Sequence, residues 1–126
     1  MTVIWIWLIA AGTSGAVAVA AGAAGAHLAA ANPQRMLLLG TGAQYALVHA
    51  AALLGVAALG RTDRDALLSA AAWLFIGGSA AFSGSLYWLA LGGPHLLVWL
   101  TPVGGLALML GWTVLAVHAA RRLIGG

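Results

Sequence analysis

Four long apolar stretches, separated by short polar segments, dominate the sequence. They cover approximately residues 3–28, 38–59, 67–91 and 101–119. Each approaches or exceeds the roughly 20 residues that an α-helix needs to cross about 30 Å of hydrocarbon. The pattern therefore predicts a single integral membrane domain over residues 1–126, folded as an all-α, four-helix transmembrane bundle.

The polar segments carry signals that start helices. Asn32 can cap a helix whose first residue is Pro33, and Thr101 with Pro102 repeats the arrangement. The segment GPHLLVWL, which precedes Thr101, is predicted to lie along the membrane interface. The first apolar stretch has no Lys or Arg before it and is longer than the apolar region of a signal peptide, so we interpret it as a retained helix.

Charge is scarce and unevenly distributed. Of the 126 residues, 63% are hydrophobic and 6% are charged, whereas soluble domains carry about a quarter charged residues. Arg61, Arg64, Arg121 and Arg122 lie on the side of the bundle that also holds both termini, and Arg35 lies on the other. Because cytoplasmic loops carry the excess of basic residues, we expect both termini in the cytoplasm and no nucleic-acid partner.

Small residues recur at every fourth position of the first helix. One row consists of Gly12, Ala16, Ala20 and Ala24, and a second of Ala18, Gly22 and Ala26. Small residues let helix backbones approach closely in lipid. We therefore expect the first helix to be central in the bundle and closely contacted by the others.

Polar side chains gather in the outer half of the predicted bundle, on the side of Arg35. The residues are His27, Gln44, Tyr45, His49, Ser83, Ser85, Tyr87 and Thr101. Tyr45 and His49 are spaced i, i+4 on one helix face, as are Ser83 and Tyr87. Because intramembrane polar groups usually face the bundle interior, Ser83 and Tyr87 are predicted to lie near Tyr45 or His49.

Two interpretations of this polar layer remain open. The groups either bond to one another and lock the bundle, or line a pocket that holds a lipid headgroup or a small amphiphile. The favoured function is a protein that binds membrane lipids or a hydrophobic small molecule through the layer. The alternative is a structural or accessory subunit that packs against another membrane protein or a second copy of itself.

The residues for several kinds of chemistry are missing. No carboxylate lies within a predicted span, although ion-coupled transporters commonly use one. Asp63 and Asp65 lie in a short charged turn and are interpreted as a solvated cap. The chain has no Cys, and His49 has no second histidine at matching depth for haem. We therefore predict no metal and no cofactor.

A catalytic constellation is also not visible in the sequence. A nucleophile formed by Ser83 or Ser85 with His49 would lack an acidic orienting group and an oxyanion hole. We therefore expect that the protein is not an enzyme.

Four stretches resemble the signature segments of a known family. They are GAAGAHL (22–28), QYALVHAAALL (44–54), FSGSLYWLALGG (82–93) and LTPVGGLALMLGW (100–112). Together they resemble the YgdD-like family, also called domain of unknown function 423, which includes transmembrane protein 256. The resemblance implies a four-helix protein of the bacterial inner (plasma) membrane, or of mitochondria in eukaryotes, with no agreed activity.

The resemblance extends to most of the polar layer. The positions that match are His27, Tyr45, His49, Ser83, Ser85, Tyr87, Thr101 and Pro102. Family members often carry an acidic and a basic residue, with further polar groups, where this chain has Gly40, Gln44, Ala46 and Val48. The resemblance therefore implies an outer half that is less polar than is typical of the family.

Overall fold

The protein is a bundle of four long helices in a computed structural model that describes residues 1–28 and 30–125. The helices are α1 (Thr2–Leu28), α2 (Pro33–Leu59), α3 (Ala66–Ala90) and α4 (Leu100–Gly125). A single 3₁₀ turn, His95–Leu97, precedes α4. All four helices are long and apolar enough to cross a membrane, which confirms the predicted all-α, four-helix fold.

Two helices are longer than the apolar stretches that predicted them. α2 begins at Pro33 rather than near residue 38, and α4 continues to Gly125 rather than ending near residue 119. Asn32 Oδ1 accepts a hydrogen bond from the Arg35 backbone N–H (3.0 Å), which confirms the predicted cap. A capped helix can continue beyond the hydrocarbon of the membrane. Hydropathy therefore predicted the parts of the helices that cross the membrane and not the helix ends.

The other two loops start their helices differently. Asp65 Oδ1 caps α3 by accepting from the Leu67 N–H (2.7 Å), in agreement with the cap predicted for this turn. α4 already begins at Leu100, so Thr101 lies within its first turn rather than before it. The hydroxyl of Thr101 is consequently available for a contact with α3.

The helices pack mainly in chain order and antiparallel. α1 packs on α2, α2 on α3 and α3 on α4, while α1 touches α3 at few positions. α2 and α3 are therefore the central helices, and the expectation that α1 is central was wrong. We call the two ends of the bundle the Asn32 end and the Asp63 end, after residues in the loops found there.

The glycines explain why α1 lies at the edge. The row Gly12, Ala16, Ala20 and Ala24 is exposed, and a Cβ added to Gly12 would have no neighbour within 4 Å. A Cβ on Gly22 would lie 3.8 Å from the Ala43 Cβ, an ordinary contact. The closest approach instead joins α3 to α4, where a Cβ on Gly104 would lie 2.8 Å from the Gly78 carbonyl oxygen.

Candidate functional site

A cleft lies between α1, α2 and α3 near the middle of the bundle. Its volume is about 410 Å³, and its lining is mostly apolar, with Leu53, Phe75 and several alanines among the residues. Val17 and Ala80 line the cleft and are exposed. Because α1 and α3 make few contacts, the gap between them opens toward the side of the bundle that would face lipid.

Six polar side chains also line the cleft: Thr13, Ser14, His49, Ser79, Ser83 and Tyr87. Ser83 is buried, and its Oγ donates a 2.8 Å hydrogen bond across the helix interface to the Gly42 carbonyl oxygen. The Tyr87 ring packs on Gly42, where a Cβ would lie 2.6 Å from the ring carbon Cε1. Glycine at position 42 thus lets α3 approach α2 and seats Tyr87 at the edge of the cleft.

Two hydroxyls in the cleft are buried without a partner. Ser79 is 9% exposed, and neither its Oγ nor the Tyr87 hydroxyl oxygen has a hydrogen-bond partner among the described residues. Ser79, Ser83 and Tyr87 are spaced i, i+4, i+8 on α3, so they form one polar row on a single face. Of these three hydroxyls, only that of Ser83 donates a hydrogen bond to another described residue.

His49 has both ring nitrogens engaged. Nδ1 lies 2.7 Å from the Tyr45 carbonyl oxygen, and since a carbonyl only accepts, Nδ1 carries the proton. Trp112 Nε1 then donates to His49 Nε2 over 3.0 Å. The imidazole is therefore neutral, buried and fixed between α2 and α4, and it presents no free nitrogen to a ligand, a metal or a proton-transfer step.

The predicted polar layer is divided between separate places. Of its eight residues, His49, Ser83 and Tyr87 line the cleft. Ser85 Oγ donates to the Phe82 carbonyl oxygen (2.9 Å) and accepts from the Thr101 hydroxyl (2.6 Å), which links α3 to α4.

The other three residues of the layer lie at the surface. His27 and Gln44 are exposed, and Tyr45 is 45% exposed. The Tyr45 ring contacts the Phe82 ring, with centroids 4.7 Å apart.

Four residues of this region were missing from the sequence-based set. Ser79 continues the Ser83 and Tyr87 row one turn deeper, a spacing that could have revealed it. Ser14 precedes Ala18 by one turn in the second small-residue row of α1, and Thr13 is its neighbour in sequence. Trp112 had no signal, because its bond to His49 depends on how α4 is placed against α2.

A second polar cluster lies at the Asp63 end and was also not predicted. His118 is buried, with Nε2 3.1 Å from Asp63 Oδ2 and Nδ1 3.7 Å from Asp65 Oδ2. Arg122 pairs with Asp63 and lies 3.9 Å from Asp65. The Leu67 N–H, together with the positive charges of His118 and Arg122, holds the pKa of Asp65 below its usual value. The cluster joins the α2–α3 turn to α4.

The remaining charge lies away from the cleft. A second cavity, of about 480 Å³, is formed at the Asn32 end and is lined by Arg35, His95 and Gln34 among others. No group of three or more His, Asp or Glu side chains within residues 1–28 and 30–125 could hold a metal ion.

Comparison with known proteins places the chain in a family. Residues 21–105 match the family described as Protein of unknown function (DUF423). The chain belongs to this family. It is 39% identical to a UPF0382 membrane protein of Haemophilus influenzae over 82% of this chain and 84% of that protein. It is also 38% identical to the UPF0382 inner membrane protein YgdD of Escherichia coli, over 90% of this chain and 88% of that protein.

The similarity extends to a protein of Bacillus subtilis. UPF0382 membrane protein YwdK of Bacillus subtilis is 35% identical over 94% of this chain and 98% of that protein. No solved structure matches the chain. The DUF423 protein is thus a small multi-pass protein of the bacterial inner membrane.

Proposed function

We propose that this DUF423 protein binds a lipid or another hydrophobic small molecule in the cleft between α1, α2 and α3. The cleft is the observation that carries the proposal. Its volume of about 410 Å³ lies within the roughly 300–1,000 Å³ that is usual for small-molecule sites. Its walls are largely apolar with a few polar groups, the composition expected of such sites.

The walls of the cleft are held in place without a ligand. Ser83 is bonded to the Gly42 carbonyl, and His49 is held by Tyr45 and Trp112. Protein interiors are otherwise packed to the density of organic crystals, with few voids larger than a water molecule. A preformed gap of this size within the membrane-spanning part of the bundle therefore favours a bound apolar molecule.

The test fills the cleft from α3. Gly84 lines the cleft, is exposed and would have no neighbour within 4 Å of an added Cβ. Gly84→Leu should therefore place a side chain in the cleft without a clash at its Cβ. Gly77→Leu is the matched control, because a Cβ on Gly77 is equally unobstructed on the same helix but does not line the cleft.

The readout is native mass spectrometry of protein extracted in mild detergent. The wild type and Gly77→Leu should retain a bound lipid or amphiphile, and Gly84→Leu should lose it. Ala80→Leu, at a second exposed lining position, provides an independent filling variant if Gly84→Leu is poorly folded. Equal retention in folded filling variants and the control would contradict the proposed binding site.

A second candidate function is an accessory subunit that packs against another membrane protein. The observation that favours it is the exposed row Gly12, Ala16, Ala20 and Ala24, to which no helix within the described residues is docked. Such rows allow close helix approach in lipid. Gly12→Leu should then abolish co-purification of a partner and leave lipid retention intact, while Gly55→Leu, at an equally open glycine of α2, should change neither.

A further inference from the structure

From the chemistry of the cleft we infer that its ligand is an uncharged lipid with carbonyl oxygens, as in an ester or a ketone, that accept hydrogen bonds from Ser79 and Tyr87. This inference rests on the proposed function, because it names the class of molecule that the same cleft would hold.

The first argument is the state of the two hydroxyls. Ser79 is only 9% exposed and lines the cleft, yet its Oγ has no partner within the described part of the chain. The Tyr87 hydroxyl oxygen is likewise buried and has no partner there. A buried hydroxyl without a partner destabilises a protein, so such groups are rare unless something else satisfies them.

The second argument concerns which partner could satisfy the hydroxyls. Ser83, between them on the α3 row, already donates to the Gly42 carbonyl, and both nitrogens of His49 are engaged. The unmet capacity of the α2 and α3 walls is therefore that of two hydroxyls, each with one O–H donor and acceptor lone pairs. Donors call for acceptor oxygens on the ligand, because an unused lone pair is better tolerated than an unused proton.

The third argument is the absence of charge. The described residues that line the cleft include no Arg, Asp or Glu, and His49 is neutral. An ionised carboxylate or phosphate buried there would have no counter-charge, which is far more unfavourable than burial of a neutral polar group. Charged groups lie instead at the two ends of the bundle, with Arg35 at the Asn32 end and the His118 cluster at the Asp63 end. The cleft therefore favours an uncharged molecule.

The direction of the polar row bears on the shape of the ligand. The backbones of Ser79 and Tyr87 are two helical turns apart, or about 12 Å along α3, and the long Tyr87 side chain leans back toward Ser79. Tyr87 is nearer the Asn32 end, and Ser79 is deeper in the bundle. An elongated molecule aligned with the helices and exposed to lipid between α1 and α3 would lie along this row.

The experiment uses a matched pair of probes, monoolein and its ether analogue, which differ in the ester carbonyl. Each is titrated into the delipidated protein in mild detergent, and the dissociation constant is measured by native mass spectrometry. The wild type should bind the ester about 5- to 10-fold more tightly than the ether, the ratio that one net hydrogen bond of about 1 kcal/mol supplies. Oleate, the charged probe, should bind more weakly than monoolein.

Variants separate this inference from the proposed function. In Ser79→Ala/Tyr87→Phe the ester preference should fall to near one, and Gly84→Leu should block both probes while Gly77→Leu blocks neither. Because neither hydroxyl has a partner within the described residues, the double variant is expected to fold. The melting temperatures of the wild type and each variant are compared before the titrations, so that a loss of fold is not mistaken for a loss of binding.

The outcomes distinguish the ligand class from the binding site. Probes that bind and are blocked by Gly84→Leu, but with no ester preference or with one that survives the double variant, would overturn the ligand class and leave the binding site standing. Tighter binding of oleate than of monoolein would also overturn the ligand class alone. Probes that do not bind, or that Gly84→Leu does not block, would overturn the proposed function and this inference with it.

Discussion

The close crossing of α3 and α4 makes Gly104→Ala the most specific structural test. A Cβ on Gly104 would lie 2.8 Å from both the Gly78 carbonyl oxygen and the Phe82 Cα, and would also overlap the Phe82 backbone nitrogen. Ordinary contacts begin at 3.4 Å, so the helices must separate by more than half an ångström. These neighbours are backbone atoms, which cannot rotate away as a side chain can.

The expected loss of stability follows from this displacement. Overpacking of a closely packed interior destabilises by about 1–3 kcal/mol. Separation of the two helices would also stretch the 2.6 Å bond between Ser85 and Thr101, which lies in the same interface and adds about 0.6 kcal/mol. We therefore expect Gly104→Ala to lower the free energy of unfolding by about 1.5–3.5 kcal/mol.

The neighbouring glycine supplies the control. A Cβ on Gly105 would lie 3.6 Å from the Phe82 ring, an ordinary contact, so Gly105→Ala should remain within about 1 kcal/mol of the wild type. Unfolding is followed by helical circular dichroism as sodium dodecyl sulfate is added to mixed micelles. If Gly104→Ala proves as stable as Gly105→Ala, α3 and α4 do not cross at this distance and the reasoning is refuted.

Three further predictions concern other parts of the bundle. Trp112→Phe should lower the free energy of unfolding by about 0.5–1.5 kcal/mol, since the buried His49 Nε2 loses its donor; an unchanged value in the same micelle titration would exclude that bond. In the folded protein the pKa of Asp65 lies below its usual value of 3.8. The charged carboxylate therefore stabilises the fold above pH 3.8, and this stabilisation is lost as the pH falls through the lower pKa of the folded state. Asp65→Asn, which keeps an acceptor for the Leu67 N–H, should reduce this loss of stability at acid pH. If the variant loses as much stability as the wild type, the Asp65 carboxylate is not the cause. A reporter fused after Gly126 should be active in the cytoplasm, as the arginine count predicts, and activity outside would reverse the topology.

Local properties of the chain were sufficient to predict the membrane class and the four helices. The length and hydropathy of a segment are enough to predict that it crosses the membrane as a helix. Lipid offers no hydrogen-bond partners, and a helix pairs its own backbone groups within the segment. The caps at Asn32 and Asp65 were predictable for the same reason, since each bonds to an N–H only a few residues away. The resemblance to the family likewise came from short stretches in order along the chain.

Pairing of the helices could not be predicted in this way. All four are apolar around most of their circumference, so no stripe distinguishes an inner face, and lipid provides no hydrophobic drive to bury one. Shape decides instead: Gly104 against Gly78 places α4 on α3, while the glycine-rich α1 stays at the edge and leaves the cleft open. The bonds of His49 to Trp112 and of His118 to Asp63 join residues far apart in sequence, and they exist because packing places α4 against α2 and against the α2–α3 turn.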